Sequence, residues 1–212
     1  KKRKKVPILV GGTGLYFKAL TDGLANIPNI PLKIREKIRS LHKKIGAKKF
    51  YSKLKKIDPL VKIHIDPLDT QRSIRAYEVK LYTKKSMYNW FKKTSSNYKE
   101  KDFYKIYIDF PRNELLTRIN FRVQEMIKNG AILEVKKLIN LKVKKDKSAN
   151  KAIGISEVQE YLQKKIKIEE LIEKISIKTR QYAKRQTTWG RGNMNNWNKL
   201  NQNSLEKFLK KF

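Results

Sequence analysis

Hydrophobic positions in this chain form one short uniform run near the start. After it they recur at three- and four-residue steps almost to the end. Val6-Pro7-Ile8-Leu9-Val10 is apolar and rich in β-branched side chains, and Gly11-Gly12-Thr13-Gly14 closes it. That succession predicts a buried strand, a tight turn and a helix from about Leu15. The best second strand is Tyr104 to Phe110, read as Tyr-Lys-Ile-Tyr-Ile-Asp-Phe. A buried strand needs neighbours, and few more can be found. The sheet therefore reads as incomplete, with its missing part expected upstream.

Between these strands, Asn26-Ile27-Pro28-Asn29-Ile30-Pro31 breaks the chain before a helix predicted over Leu32 to Lys44. Further helices run through Phe91, broken at Ile45-Gly46 and at Asp66-Pro67. Asp66 is expected to cap the helix after the second break, with Pro67 at its first position and Asp69 beside its exposed amides. Lys93 to Asp102 is a polar linker. Past Pro111, the steps of Leu115, Leu116, Ile119, Val123, Met126 and Ile127 predict a helix that Lys128-Asn129-Gly130 stops. Others follow over about Ala131 to Leu141, Ser156 to Lys164 and Ile168 to Trp189, with a charged loop from Val143 to Lys151. The residues after Gly192 are expected to be loosely held. The fold class is α/β: a core from residues 1–26 and 99–197, a helical insertion over 27–98, and a basic C-terminal tail over 198–212.

Composition narrows the chemistry. Lys and Arg number 52 against 19 Asp and Glu, a net charge of +33, yet 39% of the 212 residues are hydrophobic, enough to bury a core. There is no cysteine, which excludes disulfides and thiolate metal sites. Two histidines, His42 and His64, cannot build a zinc cluster or a serine-type triad, so any metal is a hard cation. No apolar run reaches the roughly eighteen residues of a membrane span, and the first apolar block is too short for a signal peptide. A cytoplasmic monomer is expected, with no membrane partner. The surplus charge suits a polyphosphate such as RNA. On charge alone, a merely solvated basic surface is an equal alternative. The first residue is lysine and the only methionines are Met87, Met126 and Met194, so the sequence reads as a fragment.

Four constellations could carry chemistry. The Gly11–Gly14 turn lets backbone amides approach an anion, and Thr13 adds a hydroxyl, but the G-x-x-x-x-G-K-[ST] pattern of a P-loop is absent. Gln71, Arg72 and Arg75 open a helix with both arginines on nearby faces, either an exposed basic face or a clamp on phosphates and base edges. Arg118, Arg122 and Glu125 form a polar stripe whose arginine forks suit a diphosphate, although spacing alone favours a plain surface stripe. In Thr179 to Trp189, Arg180, Lys184, Thr187 and Arg191 share one helical face and Tyr182, Arg185 and Trp189 another. Basic residues interleaved with aromatics suit a nucleic-acid strand, and a core-packed Trp flanked by solvated charges weighs equally.

Taken together, Val6 to Phe17, Asp69-Thr70-Gln71-Arg72-Ser73-Ile74-Arg75-Ala76, Arg118 through Arg122 to Gly130, and Thr179 through Trp189 resemble the tRNA dimethylallyltransferases in order and spacing. The resemblance runs from about Val6 to Trp197. It implies a P-loop-type parallel-sheet core with a helical insertion and C-terminal helices that grips a tRNA anticodon stem-loop. It also implies transfer of a dimethylallyl group from dimethylallyl diphosphate, with Mg2+, to N6 of the adenosine immediately 3′ of the anticodon. By the same resemblance Arg122 binds the diphosphate and is catalytic, with Gly11 and Gly12 beside it. Thr13 is catalytic next to the target nucleotide. Arg35, the segment Gln71, Arg72, Ser73, Ile74 and Arg75, and the segment Lys184, Arg185, Gln186, Thr187, Thr188, Trp189, Gly190 and Arg191 contact tRNA. The family's P-loop, magnesium ligands and general-base aspartate precede the glycine turn, so this chain by itself is expected not to prenylate tRNA. Two places depart from the pattern: Gly154-Ile155-Ser156-Glu157, where an aromatic and a basic residue usually follow the glycine, and Gly190, where a bulky residue is usual. The competing functions are a non-catalytic basic RNA-binding protein and, less favoured, a nucleotide kinase.

Overall fold

The computed structural model describes residues 5–144 and 147–210. Lys1 to Lys4 of the basic opening, Lys145 and Asp146 of the charged loop, and Lys211 and Phe212 of the tail lie outside the described residues. The chain divides into two compact units, a helical one over residues 15–103 and a second built from 1–14 and 104–212. The division falls at Gly14 and Phe103, so the first helix after the glycine turn goes almost wholly with the helical unit.

In the helical unit the order is α1 (Gly14–Thr21), α2 (Leu32–Ile57), α3 (Val61–His64), α4 (Thr70–Thr83) and α5 (Met87–Phe91). The break expected at Ile45-Gly46 is a kink inside α2, where Gly46 takes φ 74°. A side chain is strained in that left-handed region, so glycine permits the bend. Helices α2 and α4 pack together, and Tyr51, Leu54, Val61, Ile65, Ala76, Val79 and Met87 form the buried core with Ile30. The Tyr51 hydroxyl donates to the carbonyl of Ile65 at 3.1 Å, so this buried aromatic leaves no polar atom unmatched.

The cap of α4 is Asp69 and not Asp66. The Asp69 carboxylate accepts from the Arg72 amide at 3.0 Å, whereas Asp66 accepts from the Leu68 amide at 2.7 Å and closes a turn before the helix starts. Both aspartates can bond an amide two or three residues on. Pro67 sits in the turn, so the first free helical amides fall to Asp69.

The second unit contains β1 (Ile106–Ile108), α6 (Arg112–Lys128), α7 (Ala131–Asn140), α8 (Ile155–Leu162), α9 (Ile168–Asn193), β2 (Asn198–Leu200) and α10 (Gln202–Leu209). Ile119, Val123, Val135, Ile155, Val158, Leu171 and Ile175 make its core, with α6 laid against α9. The stop after Lys128 is as read: Gly130 takes φ 96°.

Two expectations are corrected here. Val6 to Val10 is not a buried strand. Among the described residues it has no ladder partner, and Val6, Ile8, Leu9 and Val10 are exposed. β-Branched composition favours an extended backbone, but a strand exists only by pairing. The described residues after Gly192, up to Lys210, are not loosely held either. Asn198, Lys199 and Leu200 pair in parallel with Ile106, Tyr107 and Ile108, and α10 follows, capped by the Asn201 side chain. Phe208 stacks on Tyr104 at 5.1 Å, and Gln202 accepts from Arg118 at 3.1 Å. The α/β class stands, mainly helical with one small parallel sheet among the described residues.

Candidate active site

Helix α9 continues unbroken through Gly190, so the two faces expected on it are real. Its last turns lie against the glycine turn. A Cβ placed on Gly12 would run into the Gln186 carboxamide, and one placed on Gly14 would run into the Trp189 ring. Missing side chains at Gly12 and Gly14 are therefore what allow α9 to come so close. Thr13 and Gly11 are exposed, while Trp189 is half-buried with its ring on Gly14. Trp189 packs on one side and keeps accessible surface on the other. Lys184, Arg185, Thr188 and Arg191 are exposed, and Arg185 lies 5.7 Å from the centre of the Tyr182 ring. Thr187 is half-buried and spends its hydroxyl on the Ala183 carbonyl at 3.2 Å. Gly190 is buried, and a Cβ there would come 2.6 Å from the Tyr107 ring of β1. The space a bulky residue would take at that place is filled by Tyr107.

On α6, Ile119 and Val123 point into the core and leave Arg118 and Arg122 on the exposed side. Arg118 is already engaged, with its guanidinium 4.3 Å from the Phe110 ring centre and a hydrogen bond to Gln202. Glu125 reaches Lys128 at 4.0 Å, so the polar stripe does not close as an Arg122–Glu125 pair. Arg122 has no carboxylate partner among the described residues.

The departure at Gly154-Ile155-Ser156-Glu157 has a structural role of its own. Glu157 is 2% exposed and accepts from the Gly154 amide at 2.9 Å and the Ser156 hydroxyl at 2.9 Å. It also pairs with Lys178 of α9. This carboxylate ties the start of α8 to α9, ahead of the basic segment.

In the helical unit, the segment Gln71 to Arg75 does not present one face. Gln71 and Arg72 are exposed, with Arg72 held 3.3 Å from Asp69. Ser73 is turned inward at 2% exposure, and Ile74 is half-buried. Arg75 and Arg35 both turn to Glu78, at 3.4 and 3.6 Å, and Arg39 joins them at 3.8 Å. Sequence reasoning missed Glu78 and Arg39. On a helical wheel Glu78 falls opposite Ala76, on a side of α4 that mixes Gln71 and Arg75 with Ile74, Leu81 and Tyr82, and nothing local marks it as buried. The available signal was the pair Arg35 and Arg39 at i and i+4, two like charges that need a counter-ion.

Among the described residues no three acidic or imidazole side chains converge as a metal site, and no helix is long and apolar enough to cross a membrane.

The chain belongs to the IPP transferase family, whose profile matches residues 1–193. It is 56% identical over 210 residues to the tRNA dimethylallyltransferase of Pelagibacter ubique (strain HTCC1062), covering 99% of this chain and 67% of that one. It is 38% identical to the tRNA dimethylallyltransferase of Rickettsia massiliae (strain Mtu5), covering 97% of this chain and 57% of the relative. Among solved structures, the tRNA isopentenylpyrophosphate transferase of Bacillus halodurans superposes with TM-score 0.57 at 33% identity, over 94% of this chain and 61% of that one. A eukaryotic dimethylallyltransferase acting on tRNA gives TM-score 0.71 at 26% identity, over 94% of this chain and 52% of the other. The chain thus spans between about half and two thirds of the length of these proteins.

Proposed function

We propose that this chain carries the RNA-facing part of a tRNA dimethylallyltransferase, which moves a dimethylallyl group from dimethylallyl diphosphate to N6 of the adenosine 3′ of the anticodon. The observation that carries the reading is α9 laid on the glycine turn, with the Trp189 ring and Gln186 carboxamide against Gly14 and Gly12 and basic side chains exposed around them. An adenosine reached in this way has left its stack, which costs least in a loop. Its N6 attacks the allylic carbon as the carbon–oxygen bond to diphosphate breaks, and the proton leaving N6 passes to a general base, the aspartate that the family resemblance implies, which is none of the site residues named above. Arg122 offers a free planar fork to the departing diphosphate, and the amides of Gly11 and Gly12 add dipoles to it. Thr13 stands at the exposed tip of the turn to touch the nucleotide. Lys184, Arg185 and Arg191 follow the strand, and Arg35, Gln71, Arg72 and Arg75 meet the loop. The acidic side chains described here do not fit a magnesium centre, and no step of this reading passes through a metal.

A basic RNA-binding protein without catalytic purpose is the second reading, favoured by the charge of +33. Binding to two anticodon stem-loops, identical except for adenosine or cytidine 3′ of the anticodon, measured at a low and a higher salt concentration, separates them. The transferase reading expects about tenfold preference for adenosine. Equal affinities, weakened equally by salt, would refute it.

A further inference from the structure

The helical unit contains a buried carboxylate that its core packing does not use. Glu78 has a side chain only 3% exposed, yet three guanidiniums meet it: Arg75 from its own helix at 3.4 Å, and Arg35 and Arg39 from α2 at 3.6 and 3.8 Å. A charge buried this deeply is tolerated only when paired. The pairing is overfilled, because three positive charges share one negative. It is also loose: Glu78 Oε1 and Arg35 Nε are buried without any hydrogen-bond partner. Arg35 and Arg39 reach Glu78 through Nε, so their terminal NH2 groups are not the atoms committed to it. Arginines one helical turn apart would otherwise repel each other and spread.

We propose that Glu78 is a positioning residue that gathers Arg35, Arg39 and Arg75 into one cationic cluster for a backbone phosphate of the RNA. This rests on the RNA-binding reading given above, and adds Arg39 and the acid beneath it. A phosphate takes the terminal nitrogens of Arg35 and Arg39 and the second terminal nitrogen of Arg75, whose Nη1 is on Glu78, and the surplus positive charge gives it its attraction. Glu78 supplies the geometry: long side chains held in advance lose less rotamer freedom on binding.

The proposal makes a prediction opposite in sign to charge counting. Glu78→Gln removes a negative charge from a basic cluster, so simple electrostatics expects tighter RNA binding. Positioning expects about tenfold weaker binding of the adenosine-containing stem-loop by the full chain, with the circular-dichroism spectrum retained. Arg39→Gln is expected to weaken binding and lower the salt slope by about one in the wild-type background, and to do neither in the Glu78→Gln background. Should Glu78→Gln fail to fold, Glu78→Asp keeps the charge and shortens the reach, and is expected to bind several-fold weaker. Unchanged or tighter binding by the Glu78 variants, or an Arg39→Gln effect equal in both backgrounds, overturns the positioning role while the RNA-binding reading stands. Failure of the wild-type chain to bind either stem-loop overturns both.

Discussion

Glu157→Ala is expected to lower the unfolding free energy of the second unit by about 2–4 kcal/mol. The residue is 2% exposed, and its carboxylate is the acceptor for the Gly154 amide and the Ser156 hydroxyl. Without it, a buried N–H loses its acceptor at the point where Gly154 takes φ 104° to start α8. The ion pair with Lys178 adds less, because the lysine side chain is 50% exposed and water can solvate it again. Burial pushes the Glu157 carboxyl up. The Lys178 ammonium, Glu157's own amide, the Ser156 hydroxyl and the Gly154 amide together outweigh this and hold it below the ordinary value of 4.5. The folded state thus binds this proton more weakly than the unfolded chain does. The stabilisation is complete above about pH 4.5 and is lost as pH falls through the folded-state value. Urea midpoints of the wild type should drop with acidification in that window, and those of Glu157→Gln should drop less. Parallel pH profiles for the two proteins would contradict the assignment.

The second large effect is expected at Gly14. Neither Gly12 nor Gly14 has φ in the left-handed region, so valine is conformationally possible at both, and what distinguishes them is the neighbour. At Gly14 the new side chain meets the Trp189 ring, a rigid body already half-buried. Overpacking of this kind costs about 1–3 kcal/mol, and Gly14→Val should lie at the upper end. At Gly12 the neighbour is the end of the Gln186 side chain, which can swing away. Gly12→Val should therefore melt within a few degrees of the wild type. Both variants should bind the adenosine-containing stem-loop more weakly, since both disturb the surface where α9 meets the turn. Equal melting temperatures for the two would break the link between Trp189 and Gly14.

What the sequence made legible follows from the range of the interactions involved. Helix α6, its apolar stripe from Leu115 to Ile127 and its stop at Gly130 are set within a few turns of chain, and they stand as read. The kink at Gly46 is also local. Val6 to Val10 and Asn198 to Leu200 went the opposite ways because a strand is decided by a distant partner: the apolar run lacks one among the described residues, and the polar Asn-Lys-Leu has one in β1. At the candidate site, the arginines of α4 and the basic half of α9 could be found from composition and spacing. The inward turn of Ser73 and the burial of Glu78 could not, because both depend on α2 crossing α4.

The parallel pairing of Ile106 with Asn198 sets the order in which this unit can assemble. Every helix from α6 to α9 lies within the loop which that pairing closes, so the ladder has to wait until they have collapsed and drawn its two strands together. During synthesis β1 leaves the ribosome well before β2 and stays unpaired until Asn198 to Leu200 emerge. A chain cut before Asn198 would keep α6 to α9 and lose α10 together with its only described strand pair.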